Sequence, residues 1–161
     1  MQRKVINPTT VFNALQYGFS QAIEVPEGRR ILLSGQVGVD AQERVVGQGI
    51  AEQTATALDN IERILTEVGG DLSHVVMLRL YIVESARDQQ EPIAQALRLR
   101  FPHNSPPSSW IIVSGLSLPE WLIEIEAEAV VCSERACPAL GGEAALNPVT
   151  EFFQKNRVGR V

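Results

Sequence analysis

The sequence has little of what metal, redox and disulfide chemistry require. It holds two cysteines and two histidines in 161 residues, and Cys132 and Cys137 lie near its end without clustered histidines. Two such cysteines make a poor metal site, and in a reducing compartment they are expected to remain free thiols. We also find no phosphate-cradling glycine loop and no nucleophile elbow. We therefore expect no metal and no cofactor.

A basic surface and a long apolar run are missing as well. The formal net charge is −5, and lysine and arginine do not form a stripe, which argues against nucleic acid as the main partner. No apolar run reaches about 18 residues, so we expect no membrane span or membrane partner. The first residues lack the apolar centre of a signal peptide, so the cytoplasm is the expected location.

The composition that remains is typical of a globular protein, with 45% hydrophobic and 20% charged residues. The length fits one domain, which we assign to residues 1–131. Residues 132–161 turn to Gly, Ala, Pro and polar side chains and are predicted to be a C-terminal tail. Within it, residues 149–154 have the pattern of a short amphipathic helix.

The strongest local pattern is a strict alternation of carboxylates and aliphatic residues over 121–131. A period of two predicts a strand with two unlike faces, one of which carries Glu124, Glu126 and Glu128. Adjacent carboxylates repel each other, and glutamate is a poor strand former. One interpretation is the wetted side of a sheet. The other is that at least one of these carboxylates lines a cleft.

The rest of the chain predicts further strands over residues 18–25, 30–36, 74–83 and 108–114, with helices over 50–68 and 86–101. The turn signal at residues 26–28 makes the first two strands a hairpin. Ser85 and Asp88 resemble a capping box for the second helix, in which Pro92 is tolerable only in the first turn. The order β-β-α-β-α-β-β predicts an α+β fold, a single mixed sheet with two helices on one face.

The other face of that sheet needs a cover. The pattern places Val75, Met77, Tyr81 and Trp110 on it, and monomers rarely leave such an apolar patch open. We therefore expect the chain to form a homo-oligomer through this face. The three glutamates share it. Either Arg79 and backbone amides neutralise them, or one lies in a cleft with a raised pKa and acts as a general base towards water.

Several motifs occur together and in a fixed order between about residue 10 and residue 131. They are Phe19-Ser-Gln-Ala22, Leu33-Ser-Gly-Gln36, Gln53-Thr-x-x-Ala57-Leu-x-Asn-Ile61, Val75-Val76, Pro107-Ser-Ser and Glu124-Ile-Glu-Ala127. In this combination the chain resembles the RidA/YjgF family of reactive intermediate deaminases. The resemblance implies a chorismate-mutase-like fold and a homotrimer, with the sheets forming a central barrel and small molecules bound in three clefts between subunits. It also implies hydrolysis of enamines and imines, released by pyridoxal-phosphate enzymes, without metal or cofactor.

The resemblance assigns roles to several positions. Glu124 corresponds to the glutamate that positions or activates water in active members, and Ser34 and Gly35 correspond to a backbone element of the cleft. Phe19 stands where active members usually have tyrosine, so a hydroxyl is missing. Tyr17, two residues earlier, is a candidate to point the same way.

The main departure concerns the arginine that binds the substrate carboxylate. Ser108 occupies its position, and Trp110 stands where a small residue is common. A bidentate arginine–carboxylate contact contributes about 1.5–3 kcal/mol, roughly one to two decades in affinity. Arg79 is the candidate substitute, although pairing with the glutamates is its alternative role. Without a substitute, the cleft should prefer a neutral or more apolar ligand, on which Trp110 would stack.

Two functions follow as hypotheses. The first is a divergent, cofactor-free hydrolase of an imine, an enamine or a related small electrophile, with Glu124 handling water. The second is a ligand-binding or regulatory trimer that has lost deaminase activity. Ribonuclease action, proposed for some members of the family, is disfavoured by the acidic charge balance.

Overall fold

A computed structural model describes residues 4–25 and 27–131 of the chain. The strands are β1 (Lys4–Ile6), β2 (Ala22–Glu24), β3 (Arg29–Val37), β4 (Val75–Val83), β5 (Ser108–Val113) and β6 (Ile123–Val131), and the helices are α1 (Ile50–Glu67) and α2 (Gln90–Arg100). Short 3-10 turns lie at Ala14–Tyr17, Leu72–His74 and Glu84–Ala86. The predicted tail, its short helix and Cys132 and Cys137 lie outside the described residues.

Four of the strands form a mixed sheet in the spatial order β3-β6-β4-β5. β6 runs antiparallel to both of its neighbours, and β5 runs parallel to β4. A parallel neighbour requires a long crossover, which α2 supplies. The predicted α+β class, with two helices and a mixed sheet, is confirmed.

The core lies between this sheet and the two helices. On β6 the aliphatic side chains are fully buried on the helix side, namely Ile123, Ile125, Ala127 and Ala129. Against them pack Leu58, Ile61 and Leu65 of α1 together with Ile93 and Leu97 of α2. Each buried Leu or Ile stabilises the fold by about 1.5–3 kcal/mol. Glu124, Glu126 and Glu128 point to the opposite side of the sheet, which we call the open face, so the predicted alternation is confirmed.

The predicted hairpin of residues 18–25 and 30–36 is wrong. β2 pairs with β1 in a separate two-stranded sheet, and β3 pairs with β6. The described residues therefore form two sheets rather than a single one. The partner strand β1 is three residues long, too short to show a periodic pattern. The turn before β3 lies against the end of β6, where a methyl group on Gly28 would stand 2.6 Å from Val130 Cγ1.

The helix ends follow local hydrogen bonding. At the start of α1, the Glu52 carboxylate accepts a bond from the Gly49 N–H at 3.1 Å. At its end, Gly69 adopts a φ of 77°, and the Gly70 N–H donates to Leu65 O at 2.8 Å, a Schellman closure.

The second helix begins later than its sequence pattern predicts. α2 starts at Gln90, and residues 84–86 form a separate 3-10 turn, so Ser85 and Asp88 do not cap the helix. Pro92 then lies in the first turn, as expected, where its missing N–H costs no intrahelical bond.

A bulge in β4 places Val75 on the opposite side of the sheet from the predicted one. Val75 lies opposite Ala129, whereas Met77 lies opposite Glu128, so Val76 is an extra residue on β4. The extra residue reverses the alternation before Met77. Val75 is therefore in the core and not on the open face.

Within the described residues, neither helix is long and apolar enough to cross a bilayer.

Candidate functional site

The residues that the sequence singles out fall into two groups on opposite sides of the sheet. Glu124 and Arg79 point to the open face, and Gly35 adjoins the Glu124 side chain there. Tyr17, Phe19, Ser108 and Trp110 instead line a cavity on the helix side, beside the edge strand β5. Ser34 is solvent-exposed on β3.

The cavity on the helix side has a volume of about 360 Å³. It is lined by Phe12, Tyr17, Phe19, Gln90, Ser108 and Trp110, and we call it the aromatic pocket. Phe12 lies 6.4 Å from Tyr17 and 6.3 Å from Phe19, measured between ring centroids, and Tyr17 stacks on Phe19 with an interplanar angle of 24°. None of these lining side chains carries a charge at neutral pH.

The N-terminal wall of the pocket is fastened to α2. Gly18 ends the 3-10 turn at φ 84°, and a methyl group there would lie 3.0 Å from both Ala94 O and Leu97 Cβ. The Arg98 guanidinium donates to Gln16 O at 2.7 Å. These contacts fix Tyr17 and Phe19 relative to the first turn of α2, where Gln90 lies.

The floor of the pocket is set by β5. Ser108 lies beside Leu78 of β4, and Trp110 beside Leu80, so both point to the helix side. The predicted position of Trp110 on the open face is therefore wrong. Its indole packs against the core, because the order of the strands, which alternation does not reveal, decides which face of β5 is covered.

Ser108 and Trp110 are joined by a hydrogen bond. Trp110 Nε1 donates to Ser108 Oγ at 3.1 Å. The serine oxygen accepts in this bond, so its own proton is directed elsewhere. A half-buried hydroxyl with an available proton can donate to an acceptor atom in the pocket.

On the open face, Glu124 adjoins a bulge in β3. The pairing with β6 shifts between Leu33 and Gln36, and Ser34 and Gly35 form the irregular step. The Glu124 side chain occupies the space above Gly35 that a side chain at position 35 would fill. Glu124 lies opposite Tyr81 on β4 and opposite Val37 on β3.

The other two glutamates are ion-paired. Arg79 donates from both terminal nitrogens to Glu128 Oε1 at 3.2 Å and lies 3.8 Å from Glu126. Arg30 also donates to Glu128. The hydrogen bond from Arg30, followed by that from Arg79, lowers the pKa of Glu128, against the opposing effect of burial. Arg79 therefore neutralises glutamates on the open face, as one of its two predicted roles required.

Tyr81 completes this network. Its hydroxyl donates to Glu126 Oε2 at 3.2 Å. Burial, followed by the hydrogen bond to Glu126, raises the pKa of Tyr81, so the phenol stays protonated at neutral pH.

Glu124 and the aromatic pocket of the same chain do not meet. Ser108 pairs with Leu78 and Glu124 pairs with Tyr81, which puts them three residues apart along β4 and on opposite faces of the sheet. A ligand held in the pocket of one chain is therefore separated from Glu124 of that chain by the sheet.

Sequence reasoning missed two residues of the pocket. Phe12 lies in an irregular segment and Gln90 at the first residue of α2, so neither takes part in a periodic pattern. The spacing of Phe12, Tyr17 and Phe19 is the only available signal, a cluster of aromatics in a chain with 6% aromatic residues. In residues 4–25 and 27–131, no group of three or more metal-ligating side chains comes together.

The fold and site define an α+β protein with two helices on one side of a mixed sheet and a carboxylate row on the other. A family model described as Endoribonuclease L-PSP matches residues 12–131. The chain belongs to this family, the RidA/YjgF family whose motifs it carries.

Individual relatives agree with this placement. The chain is 32% identical over 129 residues to 2-iminobutanoate/2-iminopropanoate deaminase of Rattus norvegicus, covering 80% of this chain and 90% of that protein. It is 31% identical over 85 residues to Protein DfrA of Myxococcus xanthus, a match that covers 52% of this chain and less than two thirds, 64%, of that protein. A solved structure of the Rid family protein YyfB from Yersinia pestis superposes with a TM-score of 0.76 at 37% identity, covering 81% of this chain and all of the other.

Proposed function

We propose that this chain is a divergent RidA-like protein that binds a small metabolite in clefts between the subunits of a homotrimer. In this proposal it hydrolyses an imine, an enamine or a related small electrophile without metal or cofactor, and Glu124 handles the water. The observation that carries the proposal is the position of Glu124, whose carboxylate lies at the β3 bulge on the open face and not in an ion pair of the described network. Relatives named as 2-iminobutanoate/2-iminopropanoate deaminases support the choice of substrate class.

In imine hydrolysis, the proposed role of Glu124 is to accept and return protons. Water adds to the imine carbon while the carboxylate takes one of its protons and passes it to the nitrogen, which gives a carbinolamine. The carboxylate then moves the remaining hydroxyl proton to the nitrogen, so that the C–N bond breaks, ammonia leaves and the carbonyl forms. The neighbouring glutamates cannot share this task easily, because Glu128 is held by two arginines and Glu126 accepts from Tyr81.

Assembly is part of the proposal. The pocket and Glu124 lie on opposite sides of one sheet, so a site that uses both needs a second copy of the chain. The open face offers such a contact, because it carries Leu32, 69% exposed, and the half-exposed Ile111 beside the charged network. Closed rotational symmetry lets each copy present its open face to the next.

The alternative is a non-catalytic ligand-binding or regulatory trimer, and one observation favours it. Ser108 stands where active members bind the substrate carboxylate by arginine, and none of the residues lining the aromatic pocket is a cation. Arg79 does not replace that arginine within a chain, because it points to the open face and pairs with Glu128.

The test is to generate 2-aminoacrylate enzymatically and to follow the loss of its imine in the presence of the protein. Acceleration by the wild type that is lost in Glu124→Gln supports the hydrolase, with Glu27→Gln as a control on an exposed turn. Absence of acceleration in the wild type that is restored by Ser108→Arg supports the same site with an altered specificity. If neither the wild type nor Ser108→Arg accelerates the loss of the imine, although the protein still binds a small molecule, the result supports the non-catalytic alternative.

A further inference from the structure

We infer that the aromatic pocket selects an uncharged ligand with an aromatic ring and a hydrogen-bond acceptor beside it. The inference rests on the proposed function in taking this pocket as a ligand site, and it adds the class of ligand. An aromatic amide or ketone has the required chemistry, and an aliphatic 2-imino acid anion lacks it.

The ring preference follows from the walls. Phe12, Tyr17 and Phe19 form a cluster with centroids 6.3–6.4 Å apart, and Trp110 closes the pocket from β5. Phe12 is 61% exposed and Tyr17 46% exposed. Exposed aromatic rings that cluster around a concave surface mark a binding site. Their faces and edges favour a planar ring over a saturated one of the same size.

The acceptor preference follows from Ser108. Because its oxygen accepts from Trp110 Nε1 at 3.1 Å, the orientation of the hydroxyl is restricted and its proton is left for a ligand. The indole N–H of Trp110 already donates in this bond, so it is not the donor for a ligand. The hydroxyl of Ser108 is thus a donor at the floor of the pocket, and a carbonyl oxygen is its natural partner.

The charge preference follows from the lining as a whole. The polar lining groups are the Ser108 and Tyr17 hydroxyls and the Gln90 amide, all of them neutral at pH 7. The nearby cation on α2, Arg98, donates to Gln16 O and to Glu91. A carboxylate entering the pocket would lose hydration without gaining a cation, which is unfavourable.

Three probes of similar size separate these preferences. Benzamide has the ring, the acceptor and no charge, benzoate adds the charge, and cyclohexanecarboxamide removes the aromaticity. Binding of each to the full chain is measured by titration calorimetry and by the indole N–H resonance of Trp110, assigned with Trp110→Phe. We expect benzamide to bind about fivefold or more tighter than either of the other probes.

Variants locate the binding. Ser108→Ala should weaken the binding of benzamide about fivefold. Phe12→Leu should reduce the ratio by which benzamide binds more tightly than cyclohexanecarboxamide. Ser108→Arg should make benzoate the preferred probe. The control is Leu99→Ala, a 71% exposed position on α2 outside the pocket, which should change nothing.

Several results would overturn the inference. Two of them concern selectivity: a wild-type preference for benzoate, or equal binding of benzamide and cyclohexanecarboxamide. A third is that no probe binds at 10 mM, which is roughly the weak limit for a nine-atom ligand. The fourth is benzamide binding that neither Ser108→Ala nor Phe12→Leu weakens. Each would leave the proposed function standing if imine hydrolysis is still lost in Glu124→Gln. Selective benzamide binding, without imine hydrolysis in either the wild type or Ser108→Arg, supports the inference and contradicts the hydrolase.

Discussion

Gly35 and Glu124 share one volume of space: a methyl group built on Gly35 would lie 1.9 Å from Glu124 Oε1. The carboxylate can adopt its position on the open face because residue 35 has no side chain. The family resemblance assigns Gly35 to the cleft backbone. The structure gives it a further role, which is to leave room for the carboxylate.

Gly35→Ala should therefore displace Glu124 without unfolding the protein. Gly35 does not have a positive φ, and its nearest neighbours are the last atoms of a flexible side chain, so we expect a change in the free energy of unfolding below about 1 kcal/mol. Any Glu124-dependent hydrolysis should fall to the level of Glu124→Gln. Gly115→Ala, which has nothing within 4 Å of its added methyl group, is the matched control. Full activity in Gly35→Ala would contradict the assigned role.

The ion pairs of Glu128 should make stability depend on pH. Its pKa in the folded chain lies below the ordinary value of 4.5, because Arg30 and Arg79 favour the charged form. Their stabilisation is complete above pH 4.5 and is lost as the pH falls through the lowered pKa. Glu128→Gln should cost about 1–2 kcal/mol at pH 7, and the difference from wild type should shrink towards pH 3.

Urea denaturation of both proteins between pH 7 and pH 3 measures this effect. Glu27→Gln, in the exposed turn before β3, is the control for loss of a carboxylate. A stability difference between wild type and Glu128→Gln that stays constant down to pH 3 would contradict the ion-pair explanation.

Gln53 should be among the costliest polar residues to replace. Its side chain is 1% exposed, and it donates to Glu120 O at 2.9 Å and accepts from the Leu122 N–H at 2.8 Å. Gln53→Leu leaves the Glu120 carbonyl and the half-buried Leu122 N–H without these partners, so we expect a loss of about 1–3 kcal/mol in the free energy of unfolding. Gln89→Leu, which removes an exposed amide that forms no helix cap bond, should change it by less than about 0.5 kcal/mol. Similar losses in both variants would show that the bridge contributes little.

Leu32→Glu should weaken the proposed trimer. Leu32 lies on the open face opposite Glu128, and a new carboxylate there would be buried against a neighbouring copy. We expect sedimentation equilibrium to show trimers for the wild type and monomers for Leu32→Glu at micromolar concentration. Leu99→Glu, at an equally exposed leucine on the helix side, should remain trimeric. A wild-type monomer would contradict the assembly and, with it, the inter-subunit cleft.

Much of this fold could be predicted from local pattern. The alternation in β6 and the three- and four-residue spacing in α1 each depend on burial of one face, and that burial repeats regularly along the element. The buried face of β6 agrees with the predicted alternation, and α1 (Ile50–Glu67) lies within the predicted range 50–68. Ser108 and Glu124 could be singled out because the family resemblance assigns roles to both positions, which lie at the starts of β5 and β6.

The errors arise where the register or the partner strand decides the outcome. One extra residue at Val76 reversed the side on which Val75 lies, and no local property of the sequence marks a bulge there. The side of Trp110 depends on β5 being parallel to β4 and at the edge of the sheet, which is a long-range choice. Phe12 escaped notice because irregular segments carry no period.

Gly18 has a consequence for how the pocket can change. The 3-10 turn lies so close to α2 that a methyl group at position 18 would require a shift of Ala94 or Leu97, so the absence of a side chain there keeps Tyr17 and Phe19 close to the helix that carries Gln90. If the aromatic pocket binds a ligand as proposed, the size of that ligand would depend on a position that does not line the pocket. A larger side chain at position 18 would move the turn away from α2 and enlarge the aromatic pocket, without changing any residue that lines it.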